Sequence, residues 1–408
     1  MNALPLLVGL LLAGPLLRVF MIDSAYLLLL AMGLSQAEPD SAARLSTVEP
    51  PPRTTESYAV EAATSASGDW FVVGWSDGRL AILDGATGRT TRALEPPLSS
   101  VPWELAISHD GRRIAALDED ARLWIWAGSE AGGFLCIQRT QAVVLRQVHG
   151  YRFGAELAWS PRGDRLALST QEGDVSLWTA EGVPLRTWRP AGRRWTTPFA
   201  WSPDGEQLLF AAGDRIRTRA AEDGAPVPGV PDLVCGSLIS SFDIRPDGET
   251  VVTGHRTCYA RVWRLADGAR RAEFYCPDPI IFVEDDDLGA VAFSPDGSRC
   301  AWSSREGSWI WILDMETLEL EAKSGYLNAH FFEALELEWS PTGERIWSAF
   351  ECGGGWMNGF TIREGRLKKE YQGHGHVPRF GRKRGIWLNR DGITGLAPDG
   401  ERLWARER

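Results

Sequence analysis

The sequence lacks the short spacings that build most metal and nucleotide sites. Its 6 cysteines include no Cys-x-x-Cys pair, so a zinc site is not expected. It has no His-Glu-x-x-His segment and no glycine-rich loop that would cradle a phosphate, and its 6 histidines are scattered. The chain is therefore predicted to be non-catalytic, with no cofactor, no metal and no catalytic residues.

An excess of positive charge is also missing, because the formal net charge is -11. Binding to a phosphate backbone needs a basic surface, so nucleic acid is not predicted as a partner. An acidic surface instead favours solubility or a basic partner.

Long hydrophobic runs are confined to the first 34 residues. Residues 4–17 and 25–34 are almost wholly apolar, and Arg18 and Asp23 interrupt them. Neither run alone reaches the roughly 20 residues that span a bilayer. Residues 4–22 would be long enough if the Arg18 side chain reached toward a headgroup.

Three interpretations of this segment stay open: a membrane anchor, a signal peptide cleaved after Ser35-Gln36-Ala37, and a translation start at Met21. The sequence favours export or membrane attachment through residues 4–34, with a cytoplasmic protein as the alternative. Residues 35–57 include Pro50-Pro51-Pro52 and are predicted to be an extended linker.

The remainder, residues 58–408, repeats a pattern of short apolar runs and tight turns. One run ends in Ser294-Pro295-Asp296-Gly297, a second leaves this turn, and a third follows after Gly307. Proline sets φ, the aspartate can bond the backbone ahead, and Gly297 accepts a positive φ, so Gly297→Val is expected to damage folding. Similar turns lie at residues 67–69, 108–111, 160–163, 202–205, 245–248, 340–343 and 397–400.

The turn glycines recur about every 40 to 50 residues, which is the period of propeller blades. A single such unit cannot bury both of its faces, so neighbouring sheets must pack around a ring.

The cysteines fit this scheme in two ways. Cys235, Cys258 and Cys276 fall in connections where export would permit disulfides, whereas Cys300 lies within a strand and is predicted to be a core residue.

The repeats resemble WD40 repeats over residues 58–373. In that family the third strand ends in a Trp-Asp pair, and here Trp survives in three units and Asp in two, at Leu83-Asp84, Trp126-Ala127, Trp178-Thr179, Arg219-Ala220, Trp263-Arg264, Leu313-Asp314 and Phe360-Thr361. The family's Gly-His pair before the first strand is missing, which leaves its buried His-Ser/Thr-Asp-Trp network without its histidine. The resemblance implies an all-β, seven-bladed WD40-like β-propeller, with eight blades as the alternative because the pattern of residues 385–408 predicts two further strands.

Four short motifs each allow a functional and a plainer interpretation. The Gly-x-Ser-x-Gly segment at residues 74–78 is predicted to be a hairpin, since no helix follows it as a nucleophile elbow requires. His374-Gly375-His376 is predicted to be a loop, and the acidic run at residues 284–287 a solvated rim. The basic cluster Arg379, Arg382, Lys383 and Arg384 is predicted to be a solvated loop, with anionic lipid or an acidic protein as the alternative contact.

The resemblance also implies an interaction surface, which we call the loop face. In WD40-like rings the Ser-Pro-Asp-Gly turns lie on one face, and the loops before the first strand and after the second strand lie on the other. Aromatic and charged residues together on one face are typical of a protein-binding surface. The predicted partner-binding residues are Trp75, Trp103, Arg152, Phe153, Trp195, His255, Tyr259, Asp285, Asp286, Phe331, Phe332 and Trp356.

The predicted partner is accordingly a protein or peptide, and the sequence does not predict an oligomeric state. Replacing Trp103 and Phe332 with alanine is expected to weaken partner capture with little change in thermal unfolding. The alternative function is a propeller enzyme or small-ligand receptor with its site at the mouth of the central channel. Convergent titratable groups in that mouth would favour this alternative, and broad exposed aromatics would favour docking.

Overall fold

The computed structural model describes residues 57–129, 133–141, 156–170, 173–189, 197–255, 259–275, 288–304, 309–325, 333–351, 356–374, 378–389 and 392–407. These residues form β-strands joined by turns and contain no helix, and residues 57–408 make one compact unit. Within these ranges no helix has the length and apolar character to cross a membrane. The predicted signal or anchor segment, residues 1–34, and the linker up to residue 56 lie outside the described residues.

The strands fall into groups of four consecutive antiparallel strands, here called modules. Module 1 contains β1 (Ala59–Thr64), β2 (Trp70–Trp75), β3 (Leu80–Asp84) and β4 (Thr90–Leu94). Module 2 contains β5 (Pro102–Ile107), β6 (Arg113–Asp118), β7 (Arg122–Gly128) and β8 (Phe134–Gln141). Module 3 contains β9 (Glu156–Trp159), β10 (Arg165–Ser169), β11 (Val175–Thr179) and β12 (Pro184–Trp188). Module 4 contains β13 (Phe199–Trp201), β14 (Gln207–Ala212), β15 (Arg215–Ala220) and β16 (Leu233–Val234).

The second half of the chain continues the same order. Module 5 contains β17 (Ile239–Ile244), β18 (Thr250–His255), β19 (Tyr259–Arg264) and β20 (Arg270–Tyr275). Module 6 contains β21 (Leu288–Phe293), β22 (Arg299–Ser304), β23 (Ile310–Asp314) and β24 (Leu320–Ser324). Module 7 contains β25 (Glu333–Trp339), β26 (Arg345–Glu351), β27 (Trp356–Arg363) and β28 (Arg366–His374). Module 8 contains β29 (Arg379–Phe380), β30 (Gly385–Asn389), β31 (Gly392–Leu396) and β32 (Arg402–Glu407).

The last module is where the sequence-based prediction and the structure differ. The repeat pattern favours seven blades and predicts two strands in residues 385–408, whereas residues 379–407 supply four. The turn at Gly400 joins the third and fourth strands, while the other turns of this kind join the first and second. The first hairpin of module 8 instead turns through the basic cluster, where the Gly381 amide donates to the Arg384 carbonyl at 2.9 Å.

The repeated turns close as their residue types predict. In the module 6 turn, the Gly297 amide donates to the Ser294 carbonyl at 2.8 Å, and the Ser294 hydroxyl donates to Asp296 Oδ1 at 2.6 Å. Gly297 has φ of 70°, which confirms the predicted positive φ. The aspartate at the end of a third strand has a separate role, because Asp84 Oδ1 accepts the amide of Thr87 at 2.8 Å and shapes the turn into β4.

Apolar cores join the modules in a closed cycle. Each pair of consecutive modules shares one cluster of buried residues, because apolar side chains on one sheet pack against the sheet of the next module. Ile82 and Trp126 belong to the cluster between modules 1 and 2, and Val262 and Trp302 to the one between modules 5 and 6. Phe71 of module 1 packs with residues of module 8, so the cycle closes on itself.

The outer strands add one further link between modules. Strands β24 and β28 pair in parallel, with Lys323 opposite Arg366 and Ser324 opposite Leu367. This pairing joins modules 6 and 7 into one eight-stranded sheet.

Tryptophan side chains form hydrogen bonds between the first strands of neighbouring modules. Trp159, Trp201 and Trp339 end their first strands, and the indole of each donates to a main-chain carbonyl of the preceding module, at 3.3, 3.1 and 3.1 Å. In each case the acceptor lies on the neighbouring first strand. The large aromatic residues therefore position the inner strands as well as filling the core.

Candidate functional site

The structure describes four of the twelve predicted partner-binding side chains: Trp75, Trp103, His255 and Tyr259. Trp356 begins β27, but its side chain is not among those described. Seven others lie outside the described residues: Arg152, Phe153, Trp195, Asp285, Asp286, Phe331 and Phe332. The four described residues all lie at the end of their modules opposite the Ser-x-Asp-Gly turns.

Trp75 and Trp103 are half-buried on the loop face. The Trp75 ring packs against the core between modules 8 and 1, and the Arg79 guanidinium lies 5.9 Å from the ring centroid. The Gly78 amide donates to the Trp75 carbonyl at 2.9 Å, so Ser76 lies in the turn between two strands. This geometry confirms the hairpin interpretation of residues 74–78.

The loop face of module 5 presents a pair of tyrosines. The rings of Tyr259 and Tyr275 lie 5.1 Å apart, and Tyr275 is 61% exposed. The Arg261 guanidinium lies 5.4 Å from the Tyr259 ring, and Leu238, also exposed, precedes β17. The Arg261 side chain is only 12% exposed, so Tyr275 is the hot-spot type of residue that this surface presents to a partner.

His255 is not on this surface, and its burial corrects the prediction that it contacts a partner. It is 0% exposed at the end of β18, where it is opposite Ile239 in the antiparallel pair. Its Nε2 lies 2.7 Å from the Thr253 hydroxyl, and its Nδ1 lies 3.0 Å from the Ser237 hydroxyl. Burial, with the nearby Arg261 charge, lowers the pKa of His255 to about 4, so the ring is neutral near pH 7.

The chain of hydrogen bonds continues on both sides of His255. The indole of Trp263 donates to the Thr253 hydroxyl at 2.9 Å, and Arg261 Nη1 donates to the Ser237 hydroxyl at 2.7 Å. Arg261 Nε also pairs with Glu273 at 2.5 Å. The set is here called the His255 network, and it supplies a buried histidine at the end of the second strand instead of before the first.

A second polar region, not predicted from the sequence, lines the inside of the ring. Half-buried residues alternate with buried ones along the first strands, so one face of each strand points toward the centre. Four glutamates occupy the same ladder position, seven residues before the glycine of the next turn: Glu61, Glu104, Glu156 and Glu336. Asp243 and Glu338 stand two residues further along their strands and form a second layer.

Backbone irregularities help to place these side chains. A β-bulge comes directly before Glu61, Glu104 and Glu336, and a bulge locally re-aims the side chain that follows it. Because the first strands contact their neighbours around the ring, residues at one ladder position lie in one layer. The carboxylates of modules 1, 2, 3 and 7 are thereby brought together.

Arg379 of β29 supplies a positive charge to this layer. Its Nη2 lies 3.2 Å from Glu336 Oε1, and its carbonyl accepts the Thr64 hydroxyl at 3.0 Å. The Glu336 carboxylate is the main cause that raises the pKa of Arg379, and Glu104, Glu61 and Glu338 act in the same direction. We call these six acids and Arg379 the inner acidic cluster.

Four carboxyl groups of the inner acidic cluster have raised pKa values: Glu104, Glu156, Asp243 and Glu338. Burial is the main cause, followed for Glu156 by the Glu336 charge, and the pKa of Glu156 rises to about 8. The pKa of Glu338 rises to about 7 and that of Asp243 to about 6, again mainly through burial. Burial and the Glu61 charge raise the pKa of Glu104 well above its usual range.

Other predicted motifs have mixed outcomes. In the basic cluster, Arg379 belongs to the inner acidic cluster, and Lys383 and Arg384 pair with Asp69 at 3.0 and 3.2 Å, so these three are not a free solvated patch. The side chain of His374 and residues 375–376 and 284–287 are outside the described part. Within the described ranges, no three His, Cys, Asp or Glu residues are placed to hold a metal ion.

The described cysteines are free thiols. Cys300 is fully buried, as its predicted core position requires. Cys235 is a buried free thiol rather than a disulfide partner, and burial raises its pKa to about 12. Cys258 and Cys276 lie outside the described residues.

No protein-family model matches the chain. The intraflagellar transport protein 80 homolog of Mus musculus is 26% identical over 211 residues, and that of Rattus norvegicus is 26% identical over 208 residues. Each alignment covers 50% of this chain and 24% of the relative. The chain thus matches about a quarter of the length of these curated relatives.

Solved structures match more of the chain. The computationally designed Ika8 protein has a TM-score of 0.57 at 15% identity and covers 85% of this chain and 98% of that one. The C-terminal WD40 domain of Sif2 has a TM-score of 0.62 at 13% identity and covers 83% and 94%. At such identities the likeness concerns the fold. Repeated four-stranded modules, their shared turns and this likeness identify the chain as a WD40-like β-propeller.

Proposed function

We propose that this chain is a non-catalytic interaction scaffold that binds a protein or peptide on its loop face. The observation that carries the proposal is the tyrosine pair on module 5, in which the half-buried Tyr259 ring supports Tyr275, and Tyr275 is 61% exposed. Trp75 with Arg79 adds an aromatic and cationic pair at the same end of the ring. Rigid strands hold both pairs, so little conformational entropy is lost when a partner binds.

Side-chain chemistry favours a partner with planar or aliphatic groups. Tyrosine and tryptophan offer large contact areas with few rotatable bonds, and arginine adds directional hydrogen bonds. The described aromatic pairs lie on two separate modules, so a peptide or protein that spans several modules fits better than a small molecule.

The experiment is affinity capture and chemical cross-linking of the full chain with Tyr275→Ala and Trp75→Ala variants. Leu320→Ala is the matched control, because Leu320 is a 53% exposed apolar residue where β24 leaves its turn at the opposite end. We expect the two loop-face variants to lose most of the captured partner and the control to retain it. Equal capture by all variants, or loss only with Leu320→Ala, would overturn the proposal.

The small-ligand receptor is a second candidate, since the inner acidic cluster brings titratable groups together within the ring. A ligand there would be a small organic cation, such as a diamine, because carboxylates outnumber Arg379. Isothermal titration with a diamine series tests this candidate. We expect binding that Glu104→Gln and Glu156→Gln together abolish, and no binding in the native chain would eliminate the candidate.

We also propose that the chain is exported or membrane-anchored through residues 4–34, on the basis of their apolar composition. Fractionation of the tagged full-length chain, with sequencing of its mature N-terminus, tests this. A soluble cytoplasmic product that starts near Met21 would contradict it.

A further inference from the structure

The inner acidic cluster holds more negative than positive charge. Glu61, Glu104, Glu156 and Glu336 share one layer, and Arg379 is the cation that contacts them through Glu336. Full ionisation would leave one guanidinium facing four carboxylates in this layer, with Glu338 close by. Like charges gathered in a partly desolvated place favour proton uptake by some of them.

The strands that pack around this layer add no further cation. Inward-facing charged residues come from β1 (Glu61), β5 (Glu104), β9 (Glu156), β17 (Asp243), β25 (Glu336 and Glu338) and β29 (Arg379). Strands β13, β21 and β30 carry no Asp, Glu, His, Lys or Arg along their described lengths. The layer therefore contains an excess of acids with a single guanidinium among the described groups.

We propose that the inner acidic cluster makes this propeller a pH-responsive ring, which is stabilised when mild acidification protonates carboxyls that face one another across modules 1, 2, 3 and 7. Module 7 lies far along the chain from the consecutive modules 1, 2 and 3, and Arg379 of module 8 contacts Glu336 of module 7 at this layer. Protonation relieves repulsion between first strands, and carboxyls that keep their protons can donate hydrogen bonds to ionised neighbours. The folded ring is consequently more stable at pH 6.5 than at pH 8.5.

The direction follows from proton linkage. The pKa values of Glu156 and Glu338 are raised above the usual glutamate value, to about 8 and about 7, so the folded chain binds protons that the unfolded chain has already released. The stabilisation that these protons provide is fully present below the unfolded-state glutamate pKa. It is lost as the pH rises through the folded-state pKa values. Between about pH 6.5 and 8.5, His255 is neutral in the folded state and at most about half protonated in the unfolded state, so its contribution is small and opposite in sign.

The test is thermal unfolding of the full chain, followed by tryptophan fluorescence, from pH 6.5 to 8.5. We expect the Tm to fall as pH rises, by about 2 °C per pH unit. In Glu156→Gln and Glu338→Gln, the Tm at pH 8.5 should exceed that of the native chain and the pH slope should shrink. Glu222→Gln, at an exposed turn, is the matched control and should keep the native slope.

Two outcomes would overturn the proposal. One is a native Tm that stays constant or rises between pH 6.5 and 8.5. The other is an unchanged slope in both folded glutamine variants. If one variant does not fold, the pH slope of the other still tests the proposal. Carboxyl ¹³C NMR titration of the native chain gives an independent readout, because the proposal requires glutamate resonances that titrate above pH 6.5.

Discussion

The His255 network and the inner acidic cluster are two ways of placing polar groups inside one ring. The His255 network is buried and neutral at its centre, and each of its side chains has a hydrogen-bond partner. The inner acidic cluster is half-buried and charged, and its single arginine contacts one carboxylate directly. The first joins neighbouring strands of one module, whereas the second joins first strands from several modules.

The difference lies in what balances the cost of burial. A buried neutral group is stable once its hydrogen bonds are made, so the His255 network is expected to depend little on pH above neutrality. Buried charges need partners, and where acids exceed cations the folded state takes up protons instead. Acidification should therefore increase the contribution of the inner acidic cluster to stability and decrease that of the His255 network.

The largest effect is expected from Arg379→Met, which removes the cation of the inner acidic cluster. Loss of one partner from a buried ion pair costs roughly 3–5 kcal/mol, and Arg379 is 37% exposed, so we expect about 2–3 kcal/mol at pH 8. The loss should shrink at pH 6, because protonated carboxyls need no cation. Urea unfolding at both pH values measures it.

Arg162→Met is the matched control for this change. Arg162 pairs with Glu206 at 3.2 Å, but both side chains are more than half exposed, so the cost should stay below about 1 kcal/mol at either pH. Equal losses for Arg379→Met and Arg162→Met would mean that the inner acidic cluster is screened like a surface, and the comparison between the two regions would fail.

A somewhat smaller effect is expected from Thr253→Val in the His255 network. Valine keeps the shape but leaves the Trp263 indole and His255 Nε2 without a partner, at a cost of about 2 kcal/mol. Unlike the loss for Arg379→Met, this loss should be the same at pH 7 and pH 8.5. Thr91→Val is the control, because the exposed Thr91 hydroxyl bonds only a main-chain carbonyl, at 3.1 Å.

The fold could be predicted from the sequence because its repeats are local. Turns such as Ser294 to Gly297 are set by neighbouring residues, and their spacing predicts sheets of one size. The first hairpin of module 8 could not be predicted in this way, because its turn is basic and lacks the Ser-x-Asp-Gly pattern. The two strands that flank Gly400 follow the predicted pattern, but the strands before them, β29 and β30, give the module two more strands than predicted.

The interior sites were harder to predict, because they join distant residues. Glu61, Glu104, Glu156 and Glu336 have a common spacing from their turn glycines, and this signal is present in the sequence. Its meaning depends on which strand faces the centre and on where Arg379 lies, and only the assembled ring supplies both.

The burial of His255 could not be predicted for a related reason. Its position between Gly254 and Arg256 resembles a loop, although pairing with Ile239 extends β18 through it. The partner strand that buries His255 begins sixteen residues earlier, roughly one hairpin away, so the local pattern of residues carries no sign of its burial.

The smallest effect is expected from His255→Gln, and the sign of its pH dependence distinguishes the His255 network from the inner acidic cluster. The pKa of His255 is lowered to about 4, so between pH 6.5 and 4 the unfolded chain gains a proton that the folded chain does not, and stability falls as pH falls. We expect the stability difference between the native chain and His255→Gln to shrink by about 1 kcal/mol from pH 7.5 to 5.5. Urea unfolding at the two pH values measures this difference, and His109→Gln, at an exposed turn, serves as the control. A difference that grows with acid would mean that His255 is charged in the folded state, and the His255 network would then share the chemistry of the inner acidic cluster.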